Sequence, residues 1–181
     1  MQEIVLRPLL ILDLDETLIH GSEESLGRAC DLRFDRFYVY FRPGLETFLN
    51  VIASNYELAV WSSATSGYVE EIVRALPAGP LDLRFVWSRD RCTRRFDPTL
   101  HDEYFLKDLK KVKRLGFDLA RVLILEDEPR KVWRHYGNAI YLRPYLGAEA
   151  DDELPRLALY LEKIVDETDF RVMEKRFWRE R

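Results

Sequence analysis

The chain is poor in cysteine, with only Cys30 and Cys92 in 181 residues. Two thiols so far apart give neither a zinc site nor a disulfide framework, and a reducing compartment is the expectation. His20, His101 and His135 are scattered, and none has a partner at metal-ligand spacing. Long hydrophobic runs are missing: no segment approaches the apolar length of a membrane helix, and no basic-then-apolar leader precedes the first apolar run. An excess of basic charge is missing too. Lys and Arg number 28 against 32 Asp and Glu, a net charge of -4 without the electrostatic footprint of a nucleic-acid binder. The expectation is a cytoplasmic monomer (nuclear in a eukaryote) that binds neither membrane nor nucleic acid.

What is present fits one compact domain over residues 1–181, with 47% apolar and 33% charged residues. Short apolar runs recur at Leu9–Leu12, Leu58–Trp61, Leu83–Trp87, Val122–Leu125 and Ala139–Leu142. Runs of this length suit strands buried on both faces, hence a parallel sheet. Helical spacing lies between them: Leu45/Phe48/Leu49/Ile52, Tyr68/Ile72/Val73, Leu106/Leu109/Val112, Val132/Trp133/Tyr136, and Leu157 to Val165. Strands alternating with helices imply a three-layer α/β fold with right-handed crossovers. "CDLRFDRFYVYFRPG", Cys30 to Gly44, alternates instead, which predicts a β-hairpin insertion over residues 30–43. In "FRVMEKRFWRER", Phe170, Met173 and Phe177 share a stripe, which predicts a docking amphipathic helix over residues 167–181.

The first apolar run ends in acids: "LLILDLDETL", Leu9 to Leu18. Ligands of an open parallel sheet sit beyond the carboxyl ends of its strands. Asp13 and Asp15, two apart, point the same way in extended chain, and "ILEDEP", Ile124 to Pro129, ends a second buried run likewise. If those strands are neighbours, Asp13, Asp15, Glu126 and Asp127 converge. Two carboxylates at ~4 Å repel by roughly 4 kcal/mol at an effective dielectric of 20, so the cluster calls for a cation. Oxygen ligands alone favour Mg²⁺. An aspartate beside Mg²⁺ is also a candidate nucleophile toward phosphate, provided a lysine offsets the charge. Lys107 in "YFLKDLKK" is that candidate, and Ser62, after the Leu58–Trp61 run, is a candidate phosphoryl ligand. Each signal alone is weak. An isolated D-x-D is often a turn or cap, and most lysines are solvated.

In combination they resemble a known family. "DLDETL" (Asp13 to Leu18) is similar to the first motif of haloacid-dehalogenase-superfamily (HAD) phosphatases. Together with "RPGLETFL" (Arg42 to Leu49), "AVWSSAT" (Ala59 to Thr65), "KDL" (Lys107 to Leu109) and an acidic strand end before proline, it resembles the branch of RNA polymerase C-terminal-domain phosphatases and NLI-interacting-factor-like proteins. The resemblance runs from about Leu9 to Leu161. It implies a HAD-like fold and a Mg²⁺-dependent phosphomonoesterase. Asp13 would be nucleophile and metal ligand. Asp15 would act as acid and then base, with its backbone carbonyl on the metal. Asp127 would be the third metal ligand and Lys107 the charge-balancing lysine. Ser62, Ser63 and Thr17 would hold the phosphoryl group and its loop, while Glu126 and Arg89 would support the site. Glu126 stands where Asp is more usual, and Glu128 where many relatives have a small residue. Glu16 is expected to brace the loop.

No segment has room for a large cap, which favours a phosphoserine or phosphothreonine protein over a small metabolite. The resemblance implies that the hairpin helps recognise a proline-containing peptide, through Phe37, Tyr38 and Tyr40. Arg89, Arg91, Arg94 and Arg95 form a basic run suited to steering a phosphorylated partner, with at least two of the four expected to be plain solvated surface. The rival readings are a phosphatase for a metabolite or nucleic-acid end, and a non-catalytic peptide-binding module.

Overall fold

The computed structural model describes residues 7–181, so the leader expectation, which concerns residues 1–6, lies outside the described residues. Strand β1 (Leu9–Leu12) leads to β2 (Ile19–Ser22), β3 (Leu32–Phe34), β4 (Phe37–Phe41), α1 (Leu45–Asn55) and β5 (Glu57–Trp61). Then come α2 (Ser66–Ala75), β6 (Leu83–Trp87), β7 (Thr93–Asp97), β8 (Asp102–Leu106) and α3 (Lys110–Lys113). β9 (Val122–Glu126), β10 (Ala139–Tyr141) and α4 (Glu153–Ile164) complete the regular elements. The central sheet has the order β10-β9-β1-β5-β6 and is parallel throughout. Alternation divides its side chains between two cores. Leu10, Leu12, Leu58, Val60, Leu123 and Leu125 meet α1, α2 and α4 on one face. Leu9, Ile11, Ala59, Trp61, Val122 and Ile124 meet Trp87, Leu109 and Val112 on the other. Among the described residues, no helix is long and apolar enough to cross a membrane.

Three expectations change in detail. The insertion is a three-stranded antiparallel sheet, β2-β4-β3, because Ile19–Ser22 also pairs with β4. Leu106 ends a strand and does not begin a helix. β7 and β8 form a hairpin that delivers Lys107, and α3 starts later because the Asp108 carboxylate accepts the Lys110 N–H at 3.0 Å. The tail is not one helix but two short 3₁₀ turns, Phe170–Val172 and Trp178–Glu180. The carboxylates of Asp169 and Glu174 accept the N–H groups of Arg171 and Arg176, and such local bonds compete with helix formation. The tail still docks: Phe170 and Trp178 are buried, and the Trp178 indole donates to the Tyr141 carbonyl at 3.1 Å. Phe177, placed on the expected apolar stripe, is exposed.

Candidate active site

Register brings the acids together. Leu12 is level with Leu125 of β9 and Val60 of β5, so Asp13 leaves the core beside Glu126 and Trp61, one residue short of Ser62. The loop after Asp13 winds around one carbonyl. The N–H groups of Thr17, Leu18 and Ile19 all donate to Leu14 O, and Glu16 takes a left-handed conformation, φ 56°. Tyr145 N–H holds the Glu16 carbonyl at 2.7 Å. The Glu16 carboxyl is pushed up to about 7 by burial and by the charges of Asp15 and Asp127.

Lys107, fully buried, places its Nζ 2.7 Å from Asp13 Oδ1 and 2.6 Å from Glu126 Oε2. Burial works to raise the Asp13 pKa, but the ammonium groups of Lys107 and then Lys131 outweigh it and leave Asp13 below its ordinary value. Glu126 is pushed well above its ordinary value by burial and then by the Asp13 charge. Asp13 therefore stays the ionised carboxylate of the pair. Its second oxygen, Oδ2, is buried with no hydrogen-bond partner, and so is Asp127 Oδ1. Oxygens of Asp13, Glu126 and Asp127 lie within 4.8 Å of one another. An all-oxygen set in which Asp127 Oδ1 is an orphaned acceptor fits a hard divalent cation. The Asp15 carboxylate is not part of this trio. It accepts from Tyr68 OH at 2.8 Å and from Ser62 Oγ at 3.3 Å, so the expected metal role of Asp15 does not fall on its side chain. Burial raises the Asp15 pKa, the Tyr68 bond opposes this, and the Asp13 charge adds to it, for a net increase.

Ser62 is buried, with its Oγ accepting Ala64 N–H at 3.0 Å. Ser63 is held through its carbonyl, which accepts from Arg89 Nε at 2.7 Å, while the Arg89 guanidinium lies over Phe105. Thr17 is fully buried beneath the loop, its carbonyl accepting from Arg42 Nη1 at 2.9 Å, so it supports the loop from below. A groove of about 560 Å³ opens from Asp15 between the inserted sheet and α2, lined among others by Phe34, Phe37, Tyr68, Arg36 and Arg89. Phe37 therefore reaches the groove. Tyr38 is half-buried beneath the Arg33 guanidinium, and Tyr40 is fully buried, its hydroxyl accepting Leu26 N–H at 2.9 Å. Tyr40 is a packing residue, a correction to its expected recognition role, because the Arg28 guanidinium lies over its ring and the Leu26 N–H engages its hydroxyl.

Sequence reasoning missed two residues. Tyr68 reads as part of the apolar stripe of α2, and nothing local marks its hydroxyl as an Asp15 partner. Lys131 reads as one charge in "EDEPRK", yet it follows Asp127 by four and Glu128 by three, spacing that does bring it back to them.

The family model for NLI interacting factor-like phosphatases matches residues 8–171. CTD nuclear envelope phosphatase 1 of Xenopus laevis is 30% identical over 182 residues, covering 92% of this chain and 71% of that protein. The human carboxy-terminal domain RNA polymerase II polypeptide A small phosphatase 1 is 28% identical, covering 86% of this chain and 58% of its own. The mitochondrial import inner membrane translocase subunit TIM50 of Kluyveromyces lactis is 31% identical, covering 94% of this chain but 32% of its own length. Among solved structures, a variant of the fission yeast RNA polymerase II CTD phosphatase Fcp1 bound to beryllium fluoride superposes with a TM-score of 0.59 at 22% identity, over 88% of this chain and 51% of the other. A putative β-phosphoglucomutase from Thermotoga maritima gives 0.56 at 15% identity, over 87% of this chain and 99% of the other. These two show the HAD-like fold alone. The acids, serine and lysine expected from the motifs meet at one end of a sheet that lies within the family match, and the chain belongs to the NLI interacting factor-like phosphatases.

Proposed function

We propose that the chain hydrolyses phosphoserine or phosphothreonine in a protein, as a Mg²⁺-dependent phosphomonoesterase acting through an aspartyl-phosphate on Asp13. The observation that carries this is the asymmetry of Asp13. One oxygen is fixed by Lys107 at 2.7 Å while the other is buried and unpartnered. Oδ2 attacks phosphorus, the ester P–O bond breaks, and the leaving oxygen takes the proton of Asp15. The raised pKa of Asp15 suits it to hold that proton, and Tyr68 and Ser62 fix the carboxyl that delivers it. A water then gives its proton to Asp15 and attacks the phosphoryl group, releasing inorganic phosphate and Asp13. Lys107 keeps Asp13 anionic between turnovers. Asp13 and Asp127 would hold Mg²⁺, which would supply positive charge against the repulsion between an anionic phosphate and an anionic nucleophile.

The groove supports a protein substrate. It has aromatic walls in Phe34, Phe37 and Tyr68 and cations in Arg36 and Arg89, and it lies alongside Asp15. The test is turnover of phosphopeptides against sugar phosphates and 3′-phosphorylated oligonucleotides at matched concentration with Mg²⁺. Phosphopeptides should lead, and Asp13→Asn should abolish all turnover. The likeness to a translocase subunit favours a second reading, a non-catalytic binding domain. Wild-type turnover no higher than that of Asp13→Asn would select it.

A further inference from the structure

Beyond Lys107, a second ammonium faces the acidic strand end. Lys131 Nζ lies 3.2 Å from Glu128 Oε2, 3.5 Å from Glu126 Oε1 and 3.9 Å from Asp127 Oδ1, with its side chain only 14% exposed. Its backbone is pinned on both sides: its N–H donates to Glu128 O at 3.0 Å, and its carbonyl accepts Lys107 N–H at 2.7 Å. The two lysines thus share one scaffold at the same end of the sheet. Lys107 is engaged by Asp13 and by Glu126 Oε2, whereas Lys131 lies nearer Glu126 Oε1 and is not among the residues lining the substrate groove. Beyond helping Lys107 to keep Asp13 ionised, it takes part in no bond-making or proton-transfer step of the proposed reaction.

We propose that Lys131 is an internal counter-cation of the metal-binding end of the site, one that weakens divalent-metal affinity and so sets the metal concentration the protein requires. The physical reason is competition. An ammonium within 4 Å of Asp127 repels a divalent ion on the same carboxylate, and it satisfies charge that the ion would otherwise meet alone. A phosphate-binding role is disfavoured because the ammonium faces three carboxylates and not the groove. An ordinary surface ion pair would leave the side chain solvated, and this one is held inside.

The inference rests on the metal-dependent reading above, and Mn²⁺ binding to metal-free protein, followed by electron paramagnetic resonance or calorimetry, tests the two separately. Lys131→Gln should bind Mn²⁺ at least about tenfold more tightly than wild type, because it removes the repulsion of a divalent ion on the same carboxylates, and a water-like dielectric sets only the lower bound of that repulsion. Lys131→Arg should stay within about twofold of wild type, since the charge is kept. Lys131→Met, which retains the apolar stem, repeats the measurement if the glutamine variant does not fold. Wild-type binding with unchanged or weaker binding in the neutral variants overturns this inference alone. No Mn²⁺ uptake by any of the proteins overturns the metal-dependent reading and this inference with it. Loss of folding in both neutral variants also overturns it, because Lys131 is then a structural residue.

Discussion

Replacing Lys107 by methionine isolates what the buried ammonium does. Nζ sits 2.7 Å from Asp13 and 2.6 Å from Glu126, and each of the three side chains is at most 2% exposed. Without it, two carboxylates share a water-poor space, and breaking such a buried ion pair costs about 3–5 kcal/mol. A second route gives the same scale. The site can instead bind a proton, and protonating at pH 7 a carboxyl whose ordinary pKa is near 4.3 costs about 3.7 kcal/mol. Lys131, 3.5 Å from Glu126, recovers part of the loss and sets the expectation near the lower end, about 3 kcal/mol. The pH dependence has a definite sign. Glu126 already has a raised pKa in the wild type, so the difference lies in Asp13, which Lys107 holds low. Without Lys107 it becomes a buried carboxyl with a raised pKa, which destabilises the fold above its unfolded pKa by a penalty that fades as pH falls. The gap to wild type should therefore shrink by at most about 1.4 kcal/mol per pH unit, to about 1 kcal/mol at pH 5.5. Urea unfolding in EDTA at both pH values reads this directly. Lys107→Met combined with Glu126→Gln should recover most of the stability at pH 7. A gap below about 1 kcal/mol at pH 7, or one that does not change with pH, would refute the account of Lys107 as the compensating charge.

Tyr68→Phe removes the hydroxyl 2.8 Å from Asp15, a bond worth about 0.5–1.5 kcal/mol, so kcat should fall about two- to tenfold. Because that bond lowers the Asp15 pKa, its loss should shift the Asp15 limb of the pH–rate profile upward; an unmoved limb would mean Asp15 is not the titrating acid. Arg42→Met should cost about 3–5 kcal/mol in thermal or urea unfolding. Arg42 is buried and donates to both Asp151 oxygens at 2.9 Å and to Thr17 O at 2.9 Å, tying the catalytic loop to the segment before α4. Burial works to raise the Asp151 pKa, but its bonds from Arg42 outweigh this and hold it below the ordinary value. The stability it contributes is thus complete above the unfolded carboxyl pKa and is lost as pH falls through the folded one, so the variant should lose less stability than wild type over that acid range.

How much of this was legible in the sequence follows from where each residue gets its environment. The inner strands β1, β5 and β9 read as apolar runs because each is covered on both faces, Leu10 and Leu12 going to one core and Leu9 and Ile11 to the other, whereas the edge strand β6 leaves Arg84 and Val86 exposed. Asp13 and Asp127 were legible for the same reason, since acids that directly follow such a run must lie at a strand end. The hairpin of β7 and β8 gave no such signal. "TRRFD" and "DEYFL" carry charges on both faces because the hairpin lies outside the core, and only pairing across it, as in Arg94 with Glu103, reveals it. Leu106 is three residues from Leu109, which fits a helix as well as the end of a strand; the Asp108 side chain decides between them. Tyr68 and Lys131 mark the deeper limit. A tyrosine on an apolar stripe and a lysine after three acids have ordinary local explanations, a core contact and a solvated charge run. Their roles arise from contacts far along the chain: Tyr68 with Asp15, 53 residues away, and the Lys131 carbonyl with the N–H of Lys107. Local sequence thus identifies the acids of this site, and parallel-strand register sets them side by side. The groups that tune their charge come from segments whose proximity only the whole fold determines, which is why they emerge as the residues to mutate.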